Sequence, residues 1–494
     1  MASRHVVVVG AGIGGLTAAL ALAAKGHGVT VLERAAAPGG KMRQVEAGGR
    51  AMDAGPTVFT MRHVFDAVFA DAGLRLDEHL TLRPCAVLAR HAWADGGRLD
   101  LFADVDRSAD AIGAFAGRAE GEGYRRFCRD AARMFATLDR SFIQAPSPSM
   151  PGLLAGAGPF GLMDLLATRP FSTMWQALGT HFRDPRLRQL FGRYATYCGS
   201  SPWLAPATLM LVAHVEQAGV WMVEGGMHEV ARTMARLATA KGATIRTGAE
   251  VREVTATRGR VDGVVTADGE RIAADAVVVN ADVAAVAEGL FGPGVASAVP
   301  RMPVRDRSLS ALTWCVAGRA RGFPLLRHTV FFSDAYGSEF DDVFRHDRIP
   351  RTPTVYVCAH DRGDDDAEPE GPERLLVLVN APPSGDRRGF PEAEVADAAD
   401  RAFGLLGRCG LTVEGMEGAV ATTPAGFGAL FPATGGALYG RASHGWQASF
   451  GRPGVRTRMP GLYLAGGSAH PGPGVPMAAQ SGRAAAACLL ADLT

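Results

Sequence analysis

The chain has 494 residues, more than one hydrophobic core usually serves, so two lobes are expected. Its formal net charge of +1 gives no electrostatic case for binding nucleic acid. The 7 cysteines never form a Cys-x-x-Cys pair, which predicts free thiols in a reducing compartment, the cytoplasm, and no metal centre. No apolar run approaches the ~18 residues of a spanning helix. The first predicted strand begins by His5, so we expect no signal peptide.

The first forty residues predict a strand, a glycine turn and a helix. The β-branched run His5–Val9 leads directly into Gly-Ala-Gly-Ile-Gly-Gly and then into an apolar helical stretch, residues 16–24. A second strand, residues 29–32, ends in Glu33. Glycines at this spacing make the tight turn, admit a pyrophosphate and let the helix lie close to the strand. The helix N-terminus and an acidic residue that accepts from a ribose hydroxyl complete a predicted dinucleotide site.

Two further stretches distinguish between dinucleotides. Pro38–Met42 (PGGKM) follows the acidic residue closely, and Met52–Thr57 (MDAGPT) comes next. This order resembles the flavoprotein superfamily that holds amine oxidases, protoporphyrinogen oxidase and carotenoid desaturases. The resemblance implies a Rossmann-like α/β FAD-binding domain interleaved in sequence with an α+β substrate lobe. It also places the basic residue near the FAD phosphates and the second stretch near the isoalloxazine, so FAD is favoured over NAD.

The next part of the chain predicts mixed helices and strands. Val64–Ala72 is predicted to be a helix, Leu80–Trp93 and Leu99–Phe102 to be strands, and residues 108–138 to be helical. The breaker-rich connection APSPSM then ends at Met150.

Residues 151–175 differ in composition, because Asp164 and Arg169 are their only charged residues. One interpretation is a buried segment of the substrate lobe. The other is an amphipathic surface that enters the headgroup region of a bilayer. The sequence leaves both open.

Residues 182–216 predict two helices with a break at residues 199–202, where Tyr194, Tyr197 and Trp203 cluster. The chain then predicts a return to the nucleotide-binding domain.

From Thr244 to Asp282 the pattern is strand after strand, ending in the fully buried run Ala276–Asn280 (AVVVN). In the flavoprotein superfamily the backbone at the position of Val251 contacts the adenine. Further on, the charged stretch Asp361–Glu373 predicts an exposed loop.

The C-terminal residues are expected to close the site. A strand that ends in small residues, 461–468, precedes a loop rich in proline and glycine and a helix over 478–492. Strand, loop and helix N-terminus can present N–H groups to the pyrimidine carbonyl of a flavin, which stabilises the anionic reduced ring.

No Ser/His/Asp or Cys/His set, zinc spacing or Walker loop appears in the sequence. This is compatible with an enzyme, because N5 of a flavin itself accepts the hydride. His470 has two interpretations, support of a turn and proton transfer. His91, His181 and His214 are interpreted as structural.

The loop His470–Met477 (HPGPGVPM), after Tyr463–Gly467 (YLAGG), resembles the signature of bacterial carotenoid desaturases of the phytoene-desaturase type. With the N-terminal fingerprint and Gly225–Met227, the likeness covers almost the whole chain. Ordinary phytoene desaturases usually carry glycine where Met477 stands.

Four stretches resemble one branch of that family most, the 1-hydroxycarotenoid 3,4-desaturases or methoxyneurosporene dehydrogenases. They are Met52–Phe65, Ala89–Trp93, Arg193–Pro202 and Val475–Met477. The resemblance implies FAD-dependent removal of two hydrogens from an acyclic carotenoid at C3–C4, beside a carbon that bears hydroxyl or methoxyl. The implied electron acceptor is oxygen or a quinone. Candidates for reading the terminal oxygen are the polar residues of these stretches: Arg90, His91, Tyr194 and Tyr197.

Such a substrate partitions into membrane, so the protein is expected to lie peripherally on an inner or photosynthetic membrane, with residues 108–221 forming a helical, membrane-facing part. Three alternatives stay open at this point. They are a phytoene desaturase, another flavin oxidase of the amine or protoporphyrinogen oxidase kind, and a non-catalytic protein of the prenyl-protein escort type. Retention of the glycine fingerprint argues against the escort.

The predicted FAD-binding domain comprises residues 1–80, 222–295 and 455–494, and the predicted substrate lobe comprises residues 81–221 and 296–454. The expected cofactor-binding residues are Gly10, Gly12, Gly14, Gly15, Glu33, Arg34, Gly40, Lys41, Pro56, Thr57, Val251, Gly467, Ser468, Val475, Pro476 and Met477.

Overall fold

The computed structural model describes residues 3–149, 169, 171–365 and 367–493. It contains a parallel sheet of five strands, which we call the central sheet. The strand that opens the chain lies inside this sheet, and its neighbours on either side come from different parts of the sequence. From this first strand the connections lead to strands on both sides of the sheet. Where the strand order changes direction in this way, a crevice opens at the carboxyl ends of the adjacent strands. In order across the sheet, the strands are Thr244–Thr247, Gly28–Glu33, His5–Val9, Ala276–Val279 and Leu462–Leu464.

The strand, turn and helix predicted for the first forty residues are confirmed. His5–Val9 pairs in parallel with both of its neighbours, and the helix Ile13–Ala24 follows. Gly10 turns the chain with φ of +94°, a value that glycine adopts without strain. A Cβ atom on Gly15 would lie 2.2 Å from the carbonyl oxygen of Gly10. Glycine at this position therefore lets the helix lie directly against the strand.

A second close contact joins the two ends of the chain. The C-terminal helix Val475–Leu493 begins earlier than predicted and packs along Ile13–Ala24. At their contact a Cβ atom on Gly482 would lie 2.0 Å from the carbonyl oxygen of Gly14. The two helices are in backbone contact here, so no side chain fits between them.

A mixed sheet of eight strands forms the other large layer. Its one parallel pair joins Val87–Ala92 to His328–Phe331, and the helix Glu392–Arg408 packs on one face. The strands, in order, are Thr412–Glu414, Ser310–Arg321, Glu373–Ala381, Val355–Ala359, His328–Phe331, Val87–Ala92 and Arg98–Phe102, and Val420–Thr422 pairs with Ser310–Arg321 as well.

The prediction of an exposed loop at Asp361–Glu373 is wrong for two of its residues. Arg362 and Glu373 are buried, and the guanidinium donates to both carboxylate oxygens, at 2.7 and 2.8 Å. The pair ties the loop to the start of a strand of the eight-stranded sheet. Charge composition cannot distinguish a buried, mutually paired arginine and glutamate from solvated neighbours.

The stretch predicted to be helical over residues 108–138 forms two helices, Val105–Ala116 and Arg118–Leu138. Gly117, with φ of +104°, ends the first helix. Together with the helix Pro185–Gly192 they surround a buried cluster of aromatic rings, Phe127, Phe182 and Phe191. Most of the segment 151–175, with its two open interpretations, lies outside the described residues.

Smaller elements connect these layers. The remaining strands are Gln44–Ala47, Arg50–Asp53, Phe59–Thr60, Leu82–Pro84, Val220–Val223, Val251–Thr257, Arg260–Thr266 and Arg271–Ala273. The remaining α-helices of the described ranges are Arg62–Asp71, Met174–Leu178, Leu211–Gln217, Met227–Ala240, Val283–Ala287, Pro293–Ala296, Tyr336–Phe344 and Pro424–Leu430.

The central sheet draws its strands from the ranges expected for the FAD-binding domain, and the eight-stranded sheet draws on those expected for the substrate lobe. The division of the chain into these two domains stays a prediction. Within the described residues, no helix has both the length and the apolar character needed to cross a membrane.

The contact between the chain ends generates a stability prediction. We expect Gly482→Ala to lower the free energy of unfolding by about 1–3 kcal/mol, because the new methyl group overlaps the backbone of Gly14. Gly407→Ala is the matched control, since Gly407 lies in the helix Glu392–Arg408 with nothing within 4 Å of its Cβ position. Alanine there should stabilise the protein by about 0.5–1 kcal/mol. Thermal denaturation of both variants measures the difference, and a Gly482→Ala protein that melts no lower than the parent would contradict this packing.

Candidate cofactor and substrate site

The helix Ile13–Ala24 begins at the carboxyl end of the central sheet without a side-chain cap. Gly12 stands at the N-cap position, where no side chain accepts from the free N–H groups of the first turn. These groups and the helix dipole favour an anion at this end of the helix.

Asn280 lies at the centre of this glycine turn, and sequence analysis did not select it. Its side-chain amide donates to the carbonyl of Gly10 at 3.2 Å. Cβ atoms on Gly12, Gly14 or Gly466 would each lie within 2.8 Å of its amide group. Asn280 follows the buried strand Ala276–Val279, and a polar residue directly after a parallel strand was the signal that could have found it.

Glu33 ends its strand beside the turn, as the fingerprint predicts. Its carboxylate accepts from the N–H of Ala11 at 2.7 Å and from the N–H of Ala35 at 2.8 Å. The strand that contains Val251 starts next to it, since Ala249 donates to the carbonyl of Glu33 at 2.8 Å. The two residues expected at the adenosine end of a dinucleotide therefore lie close together.

Lys41 and Arg452 bring two cations to the same region. Lys41 Nζ donates to the carbonyl of Leu438 at 2.5 Å, and Arg452 donates to backbone carbonyls, among them that of Tyr439 at 3.0 Å. Neither forms an ion pair within the part of the chain that the structure describes. Burial lowers the pKa of Arg452 to about 10 and also lowers the pKa of Lys41, and the carboxylate of Asp282 opposes both shifts. Two cations thus face one carboxylate, which leaves a positive excess.

The two stretches that suggested FAD meet in space. A Cβ atom on Gly55 would lie 1.8 Å from the carbonyl oxygen of Lys41. A Cβ atom on Gly40 would lie 3.1 Å from the Cα of Gly12, so these two glycines are also in close contact. Pro56 and Thr57 follow directly, so these predicted cofactor-binding residues lie along one side of the crevice.

The C-terminal residues contact the same region through Arg452 and the segment after Asn280. Arg452 donates to the carbonyl of Gly467 at 3.3 Å, and Ser468 Oγ accepts from the N–H of Val283 at 3.0 Å. Val475, Pro476 and Met477 form the first turn of the C-terminal helix. Arg34 is the exception among the predicted residues. It is exposed and donates to the carbonyl of Leu430 at 2.7 Å.

A polar cluster lies deeper, in the substrate lobe. It is built on Glu216, a buried residue and the one carboxylate of the helix Leu211–Gln217. Glu216 accepts from the phenol of Tyr194 and, at 3.3 Å, from the phenol of Tyr197. Arg193 donates to the hydroxyl of Tyr197 at 2.9 Å. Burial is the main cause that raises the pKa of Glu216 and of both tyrosines.

Tyr356 connects this polar cluster to the cofactor side. The guanidinium of Arg193 lies 5.3 Å from the centre of the Tyr356 ring. The Tyr356 hydroxyl is 2.7 Å from Thr57 Oγ1 and 2.7 Å from His328 Nδ1. One aromatic residue therefore bridges the cluster and a residue expected at the isoalloxazine. The sequence did not predict a role for Glu216, Arg193 or Tyr356. The available signal concerned Glu216 alone, because it is the one carboxylate of a helix that begins with apolar residues.

The other polar candidates have their polar groups engaged, although the charge of Arg193 does act on His91. Arg90 is buried and holds Asp100 through two hydrogen bonds of 2.8 Å. His91 bonds the carbonyl of Leu99 at 3.2 Å, and burial lowers its pKa to about 3. His470 bonds the carbonyl of Phe142 at 2.7 Å, and burial lowers its pKa to about 4. Neutral rings that hold backbone carbonyls favour the supporting interpretation for both histidines.

Comparisons with known proteins agree with this geometry. Residues 13–490 match the family described as flavin containing amine oxidoreductase. The chain is 55% identical to the Hydroxyneurosporene desaturase of Rubrivivax gelatinosus, over 99% of this chain and 94% of that protein. It is 30% identical to the zeta-carotene-forming phytoene desaturase of Myxococcus xanthus, over 97% and 92%. The fold of putrescine oxidase bound to putrescine superposes with a TM-score of 0.60 at 16% identity, over 99% of both chains.

The residues of the crevice fit FAD. A helix N-terminus without a side-chain cap, and two cations without ion pairs among the described residues, suit a pyrophosphate, which carries two negative charges. Gly12, Gly14 and Gly466 are packed against Asn280, where a Cβ atom on any of them would collide with the amide group. Glu33 lies where the adenosine ribose of such a dinucleotide is expected.

Lys41, which forms no ion pair among the described residues, generates a prediction about the cofactor. Lys41→Met should weaken FAD binding about tenfold to a hundredfold, because a charge-assisted contact is lost. The apoprotein should melt no lower than the parent, since the variant removes a desolvated cation that has no ion pair. Lys241→Met, at an exposed position, is the control and should change neither quantity. Flavin titration by fluorescence and thermal denaturation give the two readouts, and unchanged FAD affinity in Lys41→Met would remove this residue from the site.

The glycine turn, the two cations and the match over residues 13–490 agree on the cofactor and the reaction class. The cofactor is FAD, and the protein is an FAD-dependent oxidoreductase. The chain belongs to the flavin-containing amine oxidoreductase family and, within it, to the carotenoid desaturases.

Proposed function

We propose that the protein removes two hydrogens from C3 and C4 of an acyclic carotenoid whose C1 carries a hydroxyl or methoxyl group. The observation that carries this proposal is the polar cluster of Arg193, Tyr194, Tyr197 and Glu216, which adjoins a core of aromatic and aliphatic side chains. Tyr194 and Glu216 are buried, and Arg193 and Tyr197 are partly buried. A hydrocarbon rod offers nothing to such groups, whereas a terminal oxygen pairs with them. The name of the Rubrivivax relative supports the same substrate class.

The position of the polar cluster fits the position of the new double bond. C3 is two bonds from C1, so a group that holds the oxygen on C1 must lie within a few ångströms of the reacting carbons. Tyr356 touches both Arg193 and Thr57, and Thr57 is expected at the isoalloxazine. A polar cluster that is linked to Thr57 through one side chain can bind a substrate oxygen that lies near the bond to be desaturated.

The side chains of this protein contribute binding, orientation and exclusion of water. When bound, FAD supplies the oxidant, which accepts a hydride. The polar cluster fixes the register of a substrate that could otherwise slide along an apolar tunnel. Lys41 and Arg452 would hold the phosphates of the bound cofactor. We propose oxygen or a quinone as the final acceptor of the electrons.

The alternatives have less support. A phytoene desaturase acts on a substrate without oxygen, which would leave the polar cluster without a partner and at a cost. Putrescine oxidase, an amine oxidase, shares the fold, but at 16% identity this likeness supports no common substrate. The protein is an FAD-dependent oxidoreductase, which excludes the non-catalytic escort-type alternative.

The substrate proposal predicts a difference between two hosts. In cells that make 1-hydroxyneurosporene, expression should yield the 3,4-didehydro product, which absorbs at longer wavelength. In cells that make phytoene alone, little or no coloured product should form, because the polar groups of the site would stay unpaired. Pigment extraction and chromatography measure both. Coloured product from phytoene with hydroxyneurosporene unchanged would overturn the proposal and leave only the family.

We also propose that the protein lies peripherally on the membrane that holds its substrate, an inner or photosynthetic membrane. Phe171, Leu204 and Trp446 are apolar side chains with exposed fractions of 73%, 45% and 38%. Phe171 meets Trp446 edge to face, with ring centres 5.7 Å apart, and Leu204 lies beside them through a backbone hydrogen bond to Gly445. We call these three side chains the apolar patch. Aromatic side chains in such a patch suit the headgroup region of a bilayer.

The apolar patch gives a test of this location. Replacing Phe171 and Trp446 together by Asp should lower partitioning into liposomes at least about tenfold, because burial of each ring contributes about 1.5–3 kcal/mol. Leu290→Asp is the control, an equally exposed apolar residue outside the patch, and it should bind as the parent does. Cosedimentation with vesicles measures bound protein, and flavin absorbance confirms folding. Unchanged binding by the double variant would exclude the patch.

A further inference from the structure

Glu216 accepts hydrogen bonds from two phenols. Its two carboxylate oxygens accept from Tyr194 and Tyr197. Glu216 is buried. Burial raises the pKa of Glu216, and the hydrogen bonds from the two phenols and the charge of Arg193 oppose that rise. In the hydrogen-bond geometry each phenol donates and Glu216 accepts. Both O–H groups therefore point toward Glu216 and away from any ligand.

Tyr197 consequently offers a ligand an acceptor and no donor. A phenol oxygen has one proton and two lone pairs. The proton goes to Glu216, and Arg193 Nη1 donates to one lone pair at 2.9 Å. One lone pair stays available. Tyr197 is only partly buried, whereas Tyr194 is buried, so Tyr197 is the phenol that a ligand can reach.

Arg193 supplies the complementary donors. Within the described residues its guanidinium makes one hydrogen bond, to Tyr197. The rest of the group lies over the rings of Tyr197 and Tyr356, with centres 5.2 and 5.3 Å away. Its side chain is partly exposed as well. The polar cluster thus presents N–H donors and one oxygen acceptor side by side.

This pairing distinguishes two terminal groups. A hydroxyl both donates and accepts, so it satisfies Tyr197 and Arg193 together. A methoxyl only accepts, so it leaves the lone pair of Tyr197 unpaired and sets a methyl group against it. We propose that Glu216 is the positioning residue that makes this site prefer a terminal hydroxyl over a terminal methoxyl, by fixing the direction of the Tyr197 O–H bond. The inference rests on the proposed function, since it concerns the oxygen-bearing end of that substrate.

Glu216→Gln tests the inference with little change of shape. The amide oxygen can still accept from Tyr194, while the amide nitrogen donates to the oxygen of Tyr197. The Tyr197 proton then turns toward the ligand, and the site offers donors only. The measured quantity is the ratio of kcat/KM for 1-hydroxyneurosporene to kcat/KM for 1-methoxyneurosporene. We expect the parent to favour the hydroxyl substrate about tenfold or more, and the variant to lose or reverse that preference.

Two tyrosine variants serve as a matched pair. Tyr197→Phe removes the acceptor and should bring the ratio close to one. Tyr194→Phe removes a phenol of the same kind but leaves Tyr197 bound to Glu216, so the ratio should stay that of the parent. A role in stability alone would change total activity and melting temperature in both variants without separating their ratios. Flavin absorbance and thermal denaturation identify the variants that fold.

The outcomes separate this inference from the proposed function. A parent that acts on neither carotenoid overturns both. A parent that desaturates the hydroxyl substrate, with a ratio that is the same in flavin-loaded Glu216→Gln, overturns the inference and leaves the function. If Glu216→Gln fails to hold flavin, the tyrosine pair decides: a ratio lost in Tyr197→Phe alone supports the inference, and equal ratios in both variants overturn it.

Discussion

The rest of the structure depends on one constraint at the carboxyl end of the central sheet, where the backbones of neighbouring elements are in direct contact. The first helix touches the first strand through Gly15 and touches the last helix through Gly14. Around Asn280 there is no space for any other side chain. This packing leaves the first helix turn without a cap, so its N–H groups can face a pyrophosphate. Architecture and cofactor binding therefore come from one set of contacts.

The cofactor crevice and the polar cluster follow a common physical rule. Each contains polar groups that are removed from solvent and keep hydrogen-bonding capacity beyond what their neighbours in the described residues use. Lys41 and Arg452 have no ion pair there, and Arg193 uses one donor contact. Such groups are unfavourable by themselves and become favourable with the right ligand. These groups are therefore the ones that we expect to govern which ligand binds and in which register.

The sequence predicted the parts of the molecule that are local. Strand, glycine turn, helix and Glu33 lie within about thirty residues, and their spacing encodes their geometry. Asn280 and Arg452 join the same site from positions hundreds of residues away, where no motif surrounds them. The cluster on Glu216 depends on how a 3-10 segment, Arg193–Cys198, meets a separate helix. The pair of Arg362 and Glu373 shows the converse, since their burial is visible only in three dimensions.

The contact between Gly14 and Gly482 has a consequence for how the protein can be divided. The strand Leu462–Leu464 is an edge of the central sheet, and the helix Val475–Leu493 packs along the first helix. A fragment that lacks residues 462–493 leaves the first helix without this packing partner and the central sheet without this strand. Such a fragment would hold an incomplete crevice, however intact its N-terminal fingerprint.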